Sequence, residues 1–253
     1  MIQETIAQRH LAWEGCLNVR DLGGLPTADG RTTAWQSIIR ADLLGRLTPT
    51  GKQALLDYGV RTVIDLRSAK EIAGQPSAFT PESGAVLYYH RPMEHYYPHV
   101  SAEINQAQNR AEVYGLILHH YPDLTADVMR TILNAPPGGV VIHCHSGMDR
   151  TGTIAAMLLT LAGVDADLIA ADYAQSQVNL KSMFDRYAAD MGDEAENDFW
   201  MRPTAGAQIM RQLLAYLDEN YNSVVGYLTA AGLSSEEIES LWERLRPLAS
   251  RRA

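Results

Sequence analysis

Cysteine is scarce in this chain: Cys16 and Cys144 are the only two in 253 residues. Two thiols in separate segments make no disulfide framework, so a reducing, cytoplasmic setting is expected. A surplus of basic residues is missing too. Lysine and arginine total 21 against 30 acids, a net charge of −9, which gives no general attraction to nucleic-acid backbones or anionic lipid surfaces. Neither is expected as a partner, and any phosphate chemistry must rest on a local site. No apolar run reaches the roughly 18 residues of a spanning helix. The opening MIQETIAQRHLAWEGC has neither the basic start nor the cleavage site of a secretory signal, so no membrane insertion or leader is expected. Internal repeats and low-complexity tracts are absent as well.

What is present is an ordinary globular composition, 46% apolar and 20% charged, in a chain long enough to bury a full core. Residues 15–42 mix turn residues with short apolar runs and read as a hairpin-like opening. Thr48 offers an N-cap before Pro49 at the first helical position, and Gly59 closes that helix. RTVIDLRS then reads as a short buried strand and AVLYYH, around residues 85–90, as another strand of a β-α-β unit. From Met93 to Gln108 no period survives; helices are expected over roughly 110–120 and 124–134, before the apolar strand VVIH. The rest reads as helical, with a strongly apolar helix ending at Gly163 and a Ser234/Glu237 capping box on the last one. The expected architecture is α/β: one domain over 1–253, with a central, mostly parallel sheet flanked by helices. A helical lid or insertion near 93–123 and a helical C-terminal third complete it.

The chemistry concentrates in VVIHCHSGMDRTGT, residues 140–153. A strand ending at Cys144 and a helix starting near Arg150 leave a loop at the carboxyl end of a strand, where open α/β sheets bind ligands. The helix start adds N–H groups and the positive end of a dipole, which together cradle an anion. Gly147 and Gly152 let the backbone curl around a tetrahedral group, and Arg150 can hold two phosphate oxygens in a fork. A cysteine in that setting favours its thiolate, the form that attacks phosphorus. Thr151 could donate its hydroxyl to the departing sulfur. His145, Ser146, Gly147, Met148, Thr151 and Gly152 are therefore the expected phosphate-binding positions. His143 is expected to support the loop by hydrogen bonds.

HCHSGMDRTG resembles the HCxxGKDRTG signature of a bacterial tyrosine-phosphatase family that includes dual- and triple-specificity enzymes acting on phosphoproteins and phosphoinositides. NVRDLGGLPTADGR at 18–31, VRTVIDLRSAKE at 60–71 and AGVDADLIAADYAQS after the loop extend the likeness over 18–176. The resemblance implies a cysteine-phosphatase fold, metal-independent phosphomonoester hydrolysis without a cofactor, and a phosphocysteine intermediate. It makes Cys144 the nucleophile, Arg150 the phosphate clamp and Asp149 the acid. One position departs: Met148 stands where the family carries a lysine, which argues against polyphosphorylated lipid head groups.

A proton donor is required for the leaving oxygen. Asp149 is the first choice, and Asp123 in Tyr121-Pro122-Asp123 is the second, although Pro-Asp is also a common helix start. Asp65 and Arg67 at a strand end, together with Arg20, are weaker candidates, each equally readable as a structural ion pair. An NTPase loop is excluded because Thr153 stands where its lysine would be. Zinc is disfavoured because no second Cys/His pair accompanies His143, Cys144 and His145. The expected substrate is a phosphotyrosine protein; a small phosphomonoester such as a nucleotide, sugar or inositol phosphate is the alternative, and a non-catalytic phosphate-binding module ranks below both.

Overall fold

A computed structural model describes residues 2–80, 84–95, 97–192 and 206–246. Five strands form one sheet: β1 (Arg20–Asp21), β2 (Ile38–Ala41), β3 (Val60–Asp65), β4 (Leu87–His90) and β5 (Gly139–His143), in spatial order β1-β2-β5-β3-β4. Only β1 runs antiparallel to its neighbour, pairing Arg20 with Arg40; β2, β5, β3 and β4 are mutually parallel. The hairpin expected over 15–42 is thus a short pairing closed by a long connection. β5 lies in the middle, and all five of its residues are buried. This explains its unbroken apolar run, because a central parallel strand has no face to give to water.

Alternation along the strands divides the core into two layers. Val140, Ile142, Ile38 and Ile64 pack with Ile154 and Leu158 of helix α7 (Asp149–Leu161) on one face. On the other face, Val141, Ile39 and Val63 pack with Trp13 and with Leu55 of α2 (Pro49–Asp57). Thr48 caps α2 by accepting from the Gly51 N–H, as its position before proline implies. α7 stops where glycine allows it: Gly163 takes φ +78° just past the last turn.

The remaining helices include three that periodicity alone does not reveal. These are α1 (Ile2–Ala7), the two-turn α3 (Ala69–Gly74) and α4 (Pro98–Ile104). Pro98 occupies the first turn of α4, so His99 is helical and His95 lies outside. α5 (Arg110–His120) matches expectation, and α6 (Pro122–Leu133) begins two residues early because Pro122 starts the helix rather than preceding it. Asp123 is consequently a first-turn acid of this helix. α8 (Ala166–Asn179), α9 (Lys181–Met191), α10 (Ala207–Tyr221), α11 (Val224–Ala230) and α12 (Ser235–Arg244) complete the helical C-terminal third. Ser234 and Glu237 form the expected capping box on α12. Among the described residues no helix is long and apolar enough to cross a membrane.

Candidate active site

The loop between β5 and α7 is fastened carbonyl by carbonyl. His143 Nδ1 lies 3.1 Å from the Cys144 oxygen, and the Leu43 N–H donates to the His145 oxygen at 3.0 Å. Asn18 Nδ2 donates to the Ser146 oxygen at 2.9 Å; Arg40 Nη2 donates to the Gly147 oxygen at 2.7 Å and reaches that of Met148 at 3.4 Å. Every carbonyl from 144 to 148 is therefore drawn toward the protein body. Each planar trans peptide sets the following N–H opposite its carbonyl, so the N–H groups of His145 to Asp149 turn the other way, into a cup. Gly147 makes the tight bend possible at φ +65°, where a Cβ would stand 2.4 Å from the Ala41 oxygen.

Gly152 serves a different purpose from the one its place in the motif suggests. It lies inside α7, where its N–H already donates to the Met148 oxygen at 2.8 Å. A Cβ there would meet the Tyr173 ring at 2.9 Å. Its missing side chain admits α8 against α7 rather than bending the loop. Thr151 is fully buried, and its hydroxyl has no hydrogen-bond partner among the described residues.

Cys144 sits at the bottom of a cavity of about 420 Å³, with only 1% of its surface exposed. His145, Ser146, Met148, Asp149 and Arg150 line the same base. Ser101 and Ile104 of α4, Tyr114 and Ile117 of α5, and Met183 and Phe184 of α9 form the walls. Residues from the segment without period thus cover the phosphate cup.

Arg150 is held by a carboxylate that sequence reasoning missed. Both its Nη atoms donate to Glu71 at 2.7 Å, and Glu94 stands 3.6 Å away. Burial opposes the Arg150 charge, but the Glu71 hydrogen bonds and the facing Cys144, Glu71 and Glu94 outweigh it and hold its pKa above the ordinary value. Burial likewise raises the Glu71 pKa, and the Arg150 pair with the Ser68 N–H brings it down to about 2. Glu71 also completes the capping box of α3 with Ser68, which is why its position is fixed. That box is the sequence signal that could have found it. His145 is held below the usual histidine range, chiefly by burial and then by the nearby Arg46.

Asp149 faces the cavity with one oxygen engaged: Oδ1 accepts from Arg110 Nη1 at 2.8 Å and from the Tyr114 hydroxyl. Both donors belong to α5, so this carboxylate ties the covering helix to the loop. Met148 is 1% exposed and lies 3.9 Å from the same Arg110 nitrogen. The other candidates lie farther out. Asp65 and Arg67 form a fully buried pair at 2.7 Å, with Tyr88 also donating to Asp65, and neither lines the cavity. Burial pushes the Asp65 pKa up, but Arg67 and His143 more than reverse it. Asp123 does not line the cavity either; its charge reaches Tyr227 of α11.

Arg20 belongs to a buried cluster beneath the loop. Asp172 of α8 receives Arg9 at 2.5 Å, Arg40 at 2.6 Å and Arg20 at 2.9 Å, all four side chains being 1% exposed. Burial opposes the Asp172 charge, yet the arginines hold it far below the carboxylate range. Arg20 itself is lowered by burial and by the Arg40 charge, the mark of surplus positive charge in a dry place. Arg40 couples this cluster to the loop, and its signal in the sequence was an arginine inside the apolar strand IIRA. Cys16 is outside this machinery: burial and Asp42 raise its pKa, so it stays a thiol.

Comparison with known proteins gives the family. A family model described as the tyrosine phosphatase family matches residues 11–247. The chain is similar to a tyrosine-protein phosphatase from Nostoc commune, with 31% identity over 228 residues covering 83% of this chain and 74% of that one. It is also similar to the triple specificity protein phosphatase PtpB of Mycobacterium tuberculosis, with 26% identity over 269 residues covering 90% and 95%. Among solved structures, P. aeruginosa TpbA aligns at a TM-score of 0.37 and 20% identity over 78% of this chain and 86% of the other. With Cys144 at the base of the cup and the family match running almost end to end, the chain belongs to the tyrosine phosphatase family and is a phosphatase.

Proposed function

We propose that this phosphatase removes phosphate from phosphotyrosine through a phosphocysteine intermediate. The observation that supports it is the set of carbonyls from 144 to 148 held against the protein body, which leaves the N–H groups turned into the cup around a buried cysteine. In the proposed cycle the Cys144 sulfur attacks phosphorus, a phosphorus–sulfur bond forms and the bond to the leaving oxygen breaks. Arg150 and the loop N–H groups stabilise the equatorial oxygens, and Asp149 gives a proton to the departing phenolate. Water then attacks phosphorus, Asp149 takes its proton, and sulfur leaves with inorganic phosphate released. The roles of His145, Ser146, Gly147 and Met148 are to present backbone N–H groups.

Substrate class follows from the walls. Met93, Ile104, Ile117 and Phe184 offer an apolar slot for an aromatic ring above the cup. The names of the two relatives point the same way. α4 and α5, within residues 93–123, act as a lid over the cup in a single 1–253 domain, and the two free cysteines suit a cytoplasmic setting. The test is hydrolysis of an aryl phosphate in the presence of a metal chelator, inhibition by vanadate, and loss of turnover in Cys144→Ser. Full activity in that variant ends the proposal.

A further inference from the structure

Three carboxylates and one guanidinium line the cavity: Glu71, Glu94, Asp149 and Arg150. Two of the carboxylates are occupied. Glu71 gives both oxygens to Arg150 and receives Ser68 as well, while Asp149 receives Arg110 and Tyr114 on one oxygen. Glu94 differs from both. Its nearest cation is Arg150 at 3.6 Å, beyond hydrogen-bond length, and its side chain is 35% exposed at the cavity edge. No lysine and no second arginine lines the cavity among the described residues.

A carboxylate at the edge of a phosphate site repels the dianion it borders. Once Arg150 serves the phosphate, Glu94 lacks a positive neighbour from this chain's cavity lining. A cation carried by the substrate would supply that charge. Resting on the phosphotyrosine reading of this site, we propose that Glu94 selects phosphotyrosine segments carrying a lysine or arginine next to the phosphorylated residue. The ring then packs against Met93, Ile104 and Phe184, and the neighbouring cation meets Glu94 at the edge. A substrate with further phosphates brings negative charge to the same place and is rejected, and the overall charge of −9 acts in the same direction.

The test compares kcat/KM for matched phosphotyrosine peptides with lysine, glutamine or glutamate beside the phosphotyrosine, at low and high salt. An ion pair at a partly exposed edge is worth a few-fold, so the wild type should favour the lysine over the glutamate peptide by about five- to tenfold at low salt. High salt should shrink that ratio. In Glu94→Gln the ratio should fall to about twofold, and in Glu94→Lys it should invert. Ratios taken within one variant cancel any general loss of activity. An unchanged ratio in Glu94→Gln overturns the proposal. So does an equal loss on all three peptides that steepens for poorer leaving groups, because Glu94 would then be the proton donor. A wild type that cleaves aryl phosphate but does not rank the peptides defeats this inference alone; one that cleaves no aryl phosphate defeats the reading of the site.

Discussion

Replacing Asp172 by asparagine keeps the shape of the buried cluster and removes the carboxylate that, among the described residues, forms the ion pairs with all three of its arginines. Arg9, Arg20 and Arg40, each within 2.9 Å of that carboxylate and 1% exposed, would then face one another without the carboxylate that pairs all three, and the Asp21 charge reaches only Arg9. Removing one partner of a buried pair costs about 3–5 kcal/mol, a large share of the roughly 5–15 kcal/mol that holds a folded chain. The Asp172 carboxyl is held far below its unfolded value, so its contribution is fully present above about pH 4 and is lost as pH falls further. In that acid range the unfolded chain binds the extra proton, and the wild-type advantage should shrink by about 1.4 kcal/mol per pH unit. Urea unfolding of wild type and Asp172→Asn measures both the gap and its slope. Adding Arg9→Met to Asp172→Asn should recover part of the loss, since one stranded charge is removed. A gap below about 1 kcal/mol near pH 7, or one that widens in acid, would refute the reasoning.

Other outcomes follow from the same geometry. Asp149→Asn should lower turnover most for poor leaving groups, by about 100-fold, and least for good ones; a uniform drop would remove it as the proton donor. Glu71→Gln should raise KM by loosening Arg150 and lower stability near neutral pH by about 1–2 kcal/mol after allowance for partial exposure. Because the Glu71 pKa is depressed to about 2, that stability gap should persist above its ordinary range and vanish as pH falls toward about 2. Met148→Lys would set an ammonium near Arg110, now 3.9 Å from the sulfur. It should destabilise the protein by about 1–3 kcal/mol by thermal unfolding, rather than create a strong preference for polyphosphorylated substrates.

What the sequence made legible was whatever lies contiguously along it. The strand, loop and helix of 140–153 are consecutive, so apolar run, glycine, arginine and apolar helix could be read together. The residues that fix the loop come from elsewhere: Asn18 from the first connection, Arg40 from β2, Arg110 and Tyr114 from α5. No local pattern joins them, because their meeting depends on strand order. Arg40 could still be suspected, since an arginine inside an apolar strand must find a buried partner. Gly152 misled for a physical reason. In a phosphate-loop pattern a glycine reads as backbone freedom, whereas here it clears space for the Tyr173 ring. Met148 looked like the loss of a charge, yet Arg110 stands beside it from a separate helix.

The carbonyls of 144–148, held against the protein body, have a consequence for how the site arises. A short peptide carrying VVIHCHSGMDRTGT should have no appreciable affinity for phosphate, because nothing in it restrains the carbonyls and the entropy of ordering the loop would fall on the ligand. In the folded chain that ordering is complete before any ligand arrives, and it is distributed over β2, β5 and the segments that flank them. The signature is therefore a local message with a non-local author: transplanted alone it is an ordinary flexible segment, and it becomes a receptor only when the sheet closes around it.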